Sequence, residues 1–411
     1  MLDGIRVLDL TDDKGYLCGR ILGDMGADVI KIERPGGDPG RSLGPFYHDI
    51  PHEERSLYWF AYNANKRSIT LNLESADGRE LFRKLAAGAD AVIESFSPGF
   101  MDGLGLGYNV LSKIKPGIIF TSISPFGQEG PYSQFKYSDI ALMAMGGYMY
   151  TCGEPDRPPL RIAFPQSPMF AGVEAASGTL MALYHREMTG EGQVVDISLE
   201  HSLTGTSSSL VTAWWYLEGV ILSRVGQYRA GLGAGIKQRQ MWPCRDGWVS
   251  FQIYGGAMGA KANKALLQWM DSEGCATDHL KGIDWDNMDM SKLTQDDMDK
   301  MEQPIGVFLL RYTKAELEEA ALTKDIMLYP VNTMADILNS PQLKARNFWM
   351  DVEHPELGAS IVYPGEWAKL SDYPMKIRRA PLIGEHNADI YKQELGLSDV
   401  ELSALKQARV I

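Results

Sequence analysis

The chain has 411 residues, 45% of them hydrophobic, and 53 acidic side chains against 40 basic ones, which gives a formal net charge of −13. That negative excess repels a nucleic-acid backbone and restricts any hold on an anionic cofactor to a local basic pocket. The length predicts two domains, and no window approaches the roughly 18 uncharged apolar residues of a membrane span.

Residues 5–10 read as a buried strand, 17–25 as a short helix and 27–33 as a second buried strand, together a βαβ unit. Further strands are predicted at 68–73, 90–94 and 117–124, with a helix at 78–87. Strands alternating with helices predict an α/β fold with a doubly wound parallel sheet. From Met169 the apolar residues Met169, Val173, Ala176, Leu180 and Leu183 recur at helical spacing, until Thr189-Gly190-Glu191-Gly192 breaks the pattern before a strand at 193–198. A helix at 199–217 follows. The stretch 226–322 changes character, with Gly231, Gly233 and Gly235, a strand at 247–254 and acidic, Met-rich helices around 285–301. It is read as a smaller α+β domain. Residues 323–411 form a linker with strands at 326–330 and 348–352, then helices at 388–395 and 399–407 that return to the large domain. The large domain therefore comprises 1–225 plus that return.

Met1 leads directly into a turn and a strand, with no basic leader and apolar segment for export, so a cytoplasmic protein is expected. Cys18, Cys152, Cys244 and Cys275 stand far apart without a CxxC pair or a histidine cluster, which predicts reduced thiols and no metal site.

The first strand-to-helix turn is where a nucleotide fingerprint would stand, but it reads Thr11-Asp12-Asp13-Lys14-Gly15-Tyr16. One glycine replaces three, and two carboxylates oppose a pyrophosphate, which argues against a dinucleotide site. After the second strand Arg34 stands at a sheet end, able either to grip a phosphate with its planar donor fork or to pair with Glu33. Lys66 and Arg67 precede the third strand. The aromatic run Trp214-Trp215-Tyr216, with Trp242 and Trp248, can line an apolar acid pocket or fill a core.

Taken in order, several segments resemble the class III CoA-transferases, the family of formyl-CoA and carnitine CoA-transferases. They are Leu2-Asp3-Gly4-Ile5-Arg6-Val7-Leu8-Asp9-Leu10, the run from Gly23 to Pro35, Asn65-Lys66-Arg67-Ser68, Glu94-Ser95-Phe96-Ser97-Pro98-Gly99, Phe126-Gly127-Gln128-Glu129-Gly130-Pro131-Tyr132, Thr189-Gly190-Glu191-Gly192-Gln193 and Arg379-Ala380-Pro381-Leu382-Ile383-Gly384-Glu385-His386. The resemblance implies a split large domain, an inserted small domain, and two subunits interlocked like chain links. It implies coenzyme A and acyl-CoA as substrates, no metal or redox cofactor, and an aspartate nucleophile that passes through mixed-anhydride and enzyme–CoA thioester intermediates.

Carried over residue by residue, Arg34, Lys66 and Lys136 match positions that hold CoA, and Asp139 matches an acidic active-site position. The nucleophile's position is Pro168, flanked by Gln166 and Ser167. Proline has neither a nucleophilic side chain nor an N–H to steady an oxyanion. Glu174 lies about 9 Å of rise and roughly 240° of rotation away along a helix, out of reach. The charged 12–16 turn replaces a neutral one, and Gly103 stands where a basic residue is usual. The family's racemases need a His at the position of Ser138 and an Asp in 166–168, and both are missing.

The resemblance thus implies a subunit of a CoA-transferase that moves CoA between an acyl-CoA such as succinyl-CoA and a carboxylic acid, this chain lacking the nucleophile. Its partner is expected to be a homologous aspartate-bearing chain in a heteromer. Two other readings stand beside it: a self-sufficient homodimer using Asp139, and a CoA-binding homologue without turnover.

Overall fold

The computed structural model describes residues 1–206, 216–219, 224–232 and 236–411. Two compact units emerge, one from Met1–Met149, Arg161–Ile221 and Gln342–Ile411, the other from Tyr150–Leu160 and Leu222–Pro341.

The first unit is built on β1 (Arg6–Leu10), α1 (Tyr16–Asp24), β2 (Asp28–Glu33), α2 (Leu57–Asn63), β3 (Lys66–Thr70), α3 (Ala76–Ala87) and β4 (Ala91–Glu94). It continues through α4 (Phe100–Gly103), α5 (Tyr108–Ile114), β5 (Ile119–Ser124), α6 (Asp139–Met145), α7 (Ser167–Thr189), β6 (Val194–Ser198) and α8 (Leu199–Thr206). Its six strands run parallel in the order β3-β2-β1-β4-β5-β6, so the predicted doubly wound sheet is present. The two-residue period of a strand sends successive side chains to opposite faces. Leu8, Ile30 and Val92 accordingly pack on one side with Phe82, Ile390 and Tyr391. Val7, Val29, Ala91 and Ile119 pack on the other with Leu22 of α1 and Ala171 and Ala175 of α7. Because Ile390 and Tyr391 belong to this core, the late residues return to the large unit.

Several boundaries differ from expectation for identifiable reasons. Strand β3 starts at Lys66 rather than 68, since Asn65 sits in a left-handed conformation and Lys66 already pairs with Val29. Helix α7 buries a small-residue face, Ala171, Ala175, Thr179 and Ala182, while Val173 is 50% exposed. Small side chains let α1 approach closely: a Cβ on Gly172 would lie 2.8 Å from Leu17 Cβ. The predicted 388–395 helix is a π-helix, Ala388–Glu394. The predicted strand at 348–352 is the first arm of a hairpin, Trp349–His354 paired with Ala359–Pro364.

In the second unit β7 (Met241–Cys244) and β8 (Gly247–Phe251) pair antiparallel around a core of Trp242, Phe251, Trp269, Met298 and Phe308. Strand β9 (Leu328–Pro330) pairs with β8, which carries residues 323–341, expected in the linker, into this unit. The acidic stretch holds a single 3-10 turn at Met290–Lys292 and becomes α-helical at Gln295–Leu309, where Thr294 and Asp297 form a capping box. Trp242 is buried and Trp248 half-exposed, while Trp214 and Trp215, Gly233 and Gly235, and the predicted helix beyond Thr206 as far as 215, lie outside the described residues.

Candidate functional site

In a doubly wound sheet ligands gather outside the carboxyl ends of the strands, where the order reverses. Here that point lies between β1 and β4. The loop after β1 and the loop after β4 are joined there by Ser95, whose Oγ accepts from Asp12 N at 2.8 Å and donates to Asp12 Oδ1 at 2.7 Å. Lys14 pairs with Asp12 Oδ2 and lies 5.4 Å over the Tyr137 ring. Burial, with Asp12 beside it, raises the Asp13 carboxyl above the usual carboxylate range. Glu94, at the end of β4, is pushed up to about 7 by burial, against hydrogen bonds from Ser122 and from Phe96 N at 2.7 Å.

Beneath this turn lies a buried ionic group. Asp9 is fully buried, with Lys66 Nζ at 2.7 Å and Lys31 Nζ at 3.9 Å. Burial alone would raise the Asp9 carboxyl, but the two ammonium groups outweigh it and hold the pKa below its ordinary value. Lys66 also donates to Tyr16 O at 3.0 Å and Asn63 Oδ1 at 2.9 Å. Its side chain is 0% exposed. The ammonium predicted to meet CoA is therefore turned inward in this structure, and its charge supports Asp9. Lys31 pairs with Asp38 Oδ2 at 3.2 Å and donates to Thr11 O. Glu33, the neighbour expected to engage Arg34, is instead held bidentately by the buried Arg41 at 2.7 and 2.8 Å.

Arg34 is exposed. It lines a groove of about 570 Å³ along the ends of β1, β2 and β3, with Leu73, Phe96 and Phe100 among its walls and Arg409 on its rim. Sequence reasoning missed Arg409, since nothing local marks a residue so far along the chain as a neighbour of β2. Lys136 is exposed on the segment before α6 and does not line this groove. A Cβ on Gly103 would meet nothing within 4 Å, so packing does not force the missing side chain there.

Pro168 occupies the second position of α7 and is buried with Ser167. Asp139 opens α6 and reaches across to the same helix start. Its Oδ1 accepts from Gln166 N at 3.0 Å, Ser167 N at 2.9 Å and Ser167 Oγ at 2.8 Å. Those N–H groups are among the orphan donors of a helix N-terminus, so Asp139 acts as a cap from another element. Its Oδ2 is buried with no hydrogen-bond partner among the described residues. Glu174 is taken up by the Ser202 hydroxyl. Among the described residues no group of three or more His, Cys, Asp or Glu side chains is arranged to hold a metal, and no helix is long and apolar enough to cross a membrane.

Sheet order, groove and helix start define the class: a doubly wound α/β unit whose candidate site lies at the strand ends and whose α7 carries a proline in its first turn. A family model described as CoA-transferase family III matches residues 2–387, and the chain belongs to that family. It is 34% identical to succinyl-CoA:(R)-benzylsuccinate CoA-transferase subunit BbsE of Thauera aromatica, over 94% of this chain and 92% of that protein. It is 33% identical to formyl-CoA:oxalate CoA-transferase of Streptomyces avermitilis, over 100% and 99% of the two chains. The crystal structure of a CAIB/BAIF family protein from Brucella suis superimposes with a TM-score of 0.80 at 29% identity, covering 95% of this chain and 98% of that one.

Proposed function

We propose that this chain is the non-catalytic subunit of a cytoplasmic CoA-transferase that moves CoA between an acyl-CoA such as succinyl-CoA and a carboxylic acid, the nucleophilic aspartate standing on a homologous partner chain. The observation that carries the reading is Pro168, buried at the start of α7 with Asp139 bound to that helix's N–H groups. The partner's carboxylate attacks the thioester carbonyl, expelling CoA thiolate and leaving a mixed anhydride. The thiolate then attacks the aspartyl carbonyl, which releases the donor acid and leaves an aspartyl–CoA thioester. Attack by the acceptor acid forms a second anhydride, and the returning thiolate takes its acyl group and restores the aspartate. Carboxylates and thiolate carry every step.

Support for a partner comes from α7. Val173, Met181, Tyr184 and Met188 are 50–71% exposed. At 100° per residue they share one side of the helix, and a run of exposed apolar side chains marks an interaction surface. The similarity to a protein named as a subunit agrees with this.

The self-sufficient alternative, with Asp139 as nucleophile, is disfavoured because one of its oxygens already accepts three hydrogen bonds and the other is enclosed. The test is transfer by the chain purified alone and again with an aspartate-bearing homologue. Alone, no transfer and no hydroxylamine-sensitive adduct are expected; with the homologue, both appear. Turnover by the isolated chain would end the proposal. Pro168→Asp then asks whether the surrounding pocket is competent, and restored turnover would mean that only the nucleophile had been lost.

A further inference from the structure

Arg409 stands two residues beyond the last helix, Asp399–Gln407, with φ 54°. Glycine enters this left-handed region freely, whereas a residue with a Cβ does so at a cost, which makes an arginine there informative. Its backbone is fixed on both sides. Arg409 N donates to Lys406 O at 3.0 Å, Val410 N to Leu405 O at 2.8 Å, and Asn72 N to Val410 O at 2.7 Å. Val410 and Ile411 are buried in the same core cluster as Leu73 and Phe82. The anchored tail presents an exposed guanidinium on the rim of the groove that Arg34 also lines. Among the described residues no hydrogen bond or ion pair engages that guanidinium, and Arg34 spends only Nε, on Gly37 O at 3.3 Å.

The groove's acids leave this positive charge largely uncancelled. Glu33 is taken by Arg41, Asp38 by Lys31 and Tyr16, and Asp12 by Lys14 and Ser95. Glu74 is the one acid lining the groove without a basic side-chain partner among the described residues. Two guanidinium forks therefore face a partly apolar groove walled by Leu73, Phe96 and Phe100, the chemistry that suits a phosphate ester attached to a flat or apolar group.

We infer that Arg409 is a phosphate-binding residue that works with Arg34 to hold the nucleotide phosphates of CoA in this chain. The inference rests on the CoA-transferase reading and adds to it that this subunit retains its own CoA-binding groove, whether or not it performs transfer.

The test is calorimetric titration of the full-length chain and of Arg409→Gly and Arg34→Ala with CoA, and with pantetheine, which lacks the nucleotide phosphates. Glycine suits the left-handed backbone, so Arg409→Gly should keep or raise the thermal midpoint. It should weaken CoA binding about tenfold, as loss of a charge-assisted phosphate contact does, and make binding less sensitive to salt. Pantetheine should bind variant and parent equally. CoA affinity unchanged in Arg409→Gly but reduced in Arg34→Ala would overturn the role of Arg409 and leave the family reading standing. Equal losses for CoA and pantetheine would also overturn it, as would a parent chain that binds no CoA. The subunit reading fails separately, if no transfer appears with any aspartate-bearing homologue.

Discussion

Asp139 offers a sharp test because its two possible roles predict opposite patterns. As a cap it satisfies Gln166 N, Ser167 N and the Ser167 hydroxyl through a single oxygen. Asp139→Ala strands two N–H groups at the start of a 23-residue helix. Unsatisfied buried donors cost roughly 1–3 kcal/mol each, so a loss of about 2–6 kcal/mol is expected, a large share of the ~5–15 kcal/mol that holds a typical domain together. Asp139→Asn keeps a carbonyl oxygen in the same place and gives up only the charge, at a cost of about 1–2 kcal/mol. The assay pairs urea unfolding of the three proteins with transfer measured in the presence of the aspartate-bearing homologue. The capping role predicts a graded stability series, Asp above Asn above Ala, with Asn retaining most of the transfer. A nucleophile predicts three equally stable proteins, with turnover by the wild-type chain alone and none by either variant. Alanine within about 0.5 kcal/mol of the parent would refute the capping argument, since that is the range of surface changes without a structural role.

Glu94 supplies a pH test with a definite sign. Its folded pKa, about 7, is raised above the ordinary glutamate value, so between pH ~4 and 7 the native state holds a proton that the unfolded chain has released. Stability contributed by this group is therefore complete below pH ~4 and is lost as pH rises through 7. Glu94→Gln should remove that decline and stabilise the protein by a few kcal/mol at pH 8, on the order of 1.4 kcal/mol per pKa unit; parallel pH–stability curves for the two proteins would contradict it. The exposed face of α7 predicts an obligate assembly burying more than roughly 2,000 Å². Met181→Glu combined with Tyr184→Glu should shift sedimentation from a dimer to a monomer, and a parent chain that is already monomeric with its homologue present would sink the interface.

The parallel sheet was legible because strands covered on both faces are written as near-continuous apolar runs, as in residues 5–10 and 27–33. The hairpin's second arm, Ala359–Pro364, was missed although Ile361, Val362 and Tyr363 favour a strand, because an apolar run of three residues is too short to mark one by periodicity and only Tyr363 is buried. The direction of a cation was equally hidden. Lys66 reads as an edge lysine, and only the three-dimensional neighbourhood of Asp9, Asn63 and Tyr16 shows that it points inward. Likewise Glu33 sits next to Arg34 in sequence but bonds Arg41, because a strand-end carboxylate meets the residues that fold over it rather than its immediate neighbour. That residue 168 offers neither a nucleophile nor an N–H donor is legible without a structure, since this follows from proline itself.

The split of the first unit also sets a timetable for synthesis. Its core unites Leu8, Ile30 and Val92 with Ile390 and Tyr391, so the early strands leave the ribosome long before the residues that cover one of their faces. At about 5–20 residues per second the wait is on the order of tens of seconds, during which an apolar sheet face stays uncovered. The second unit, mostly the continuous stretch Leu222–Pro341, can complete its own core within that interval.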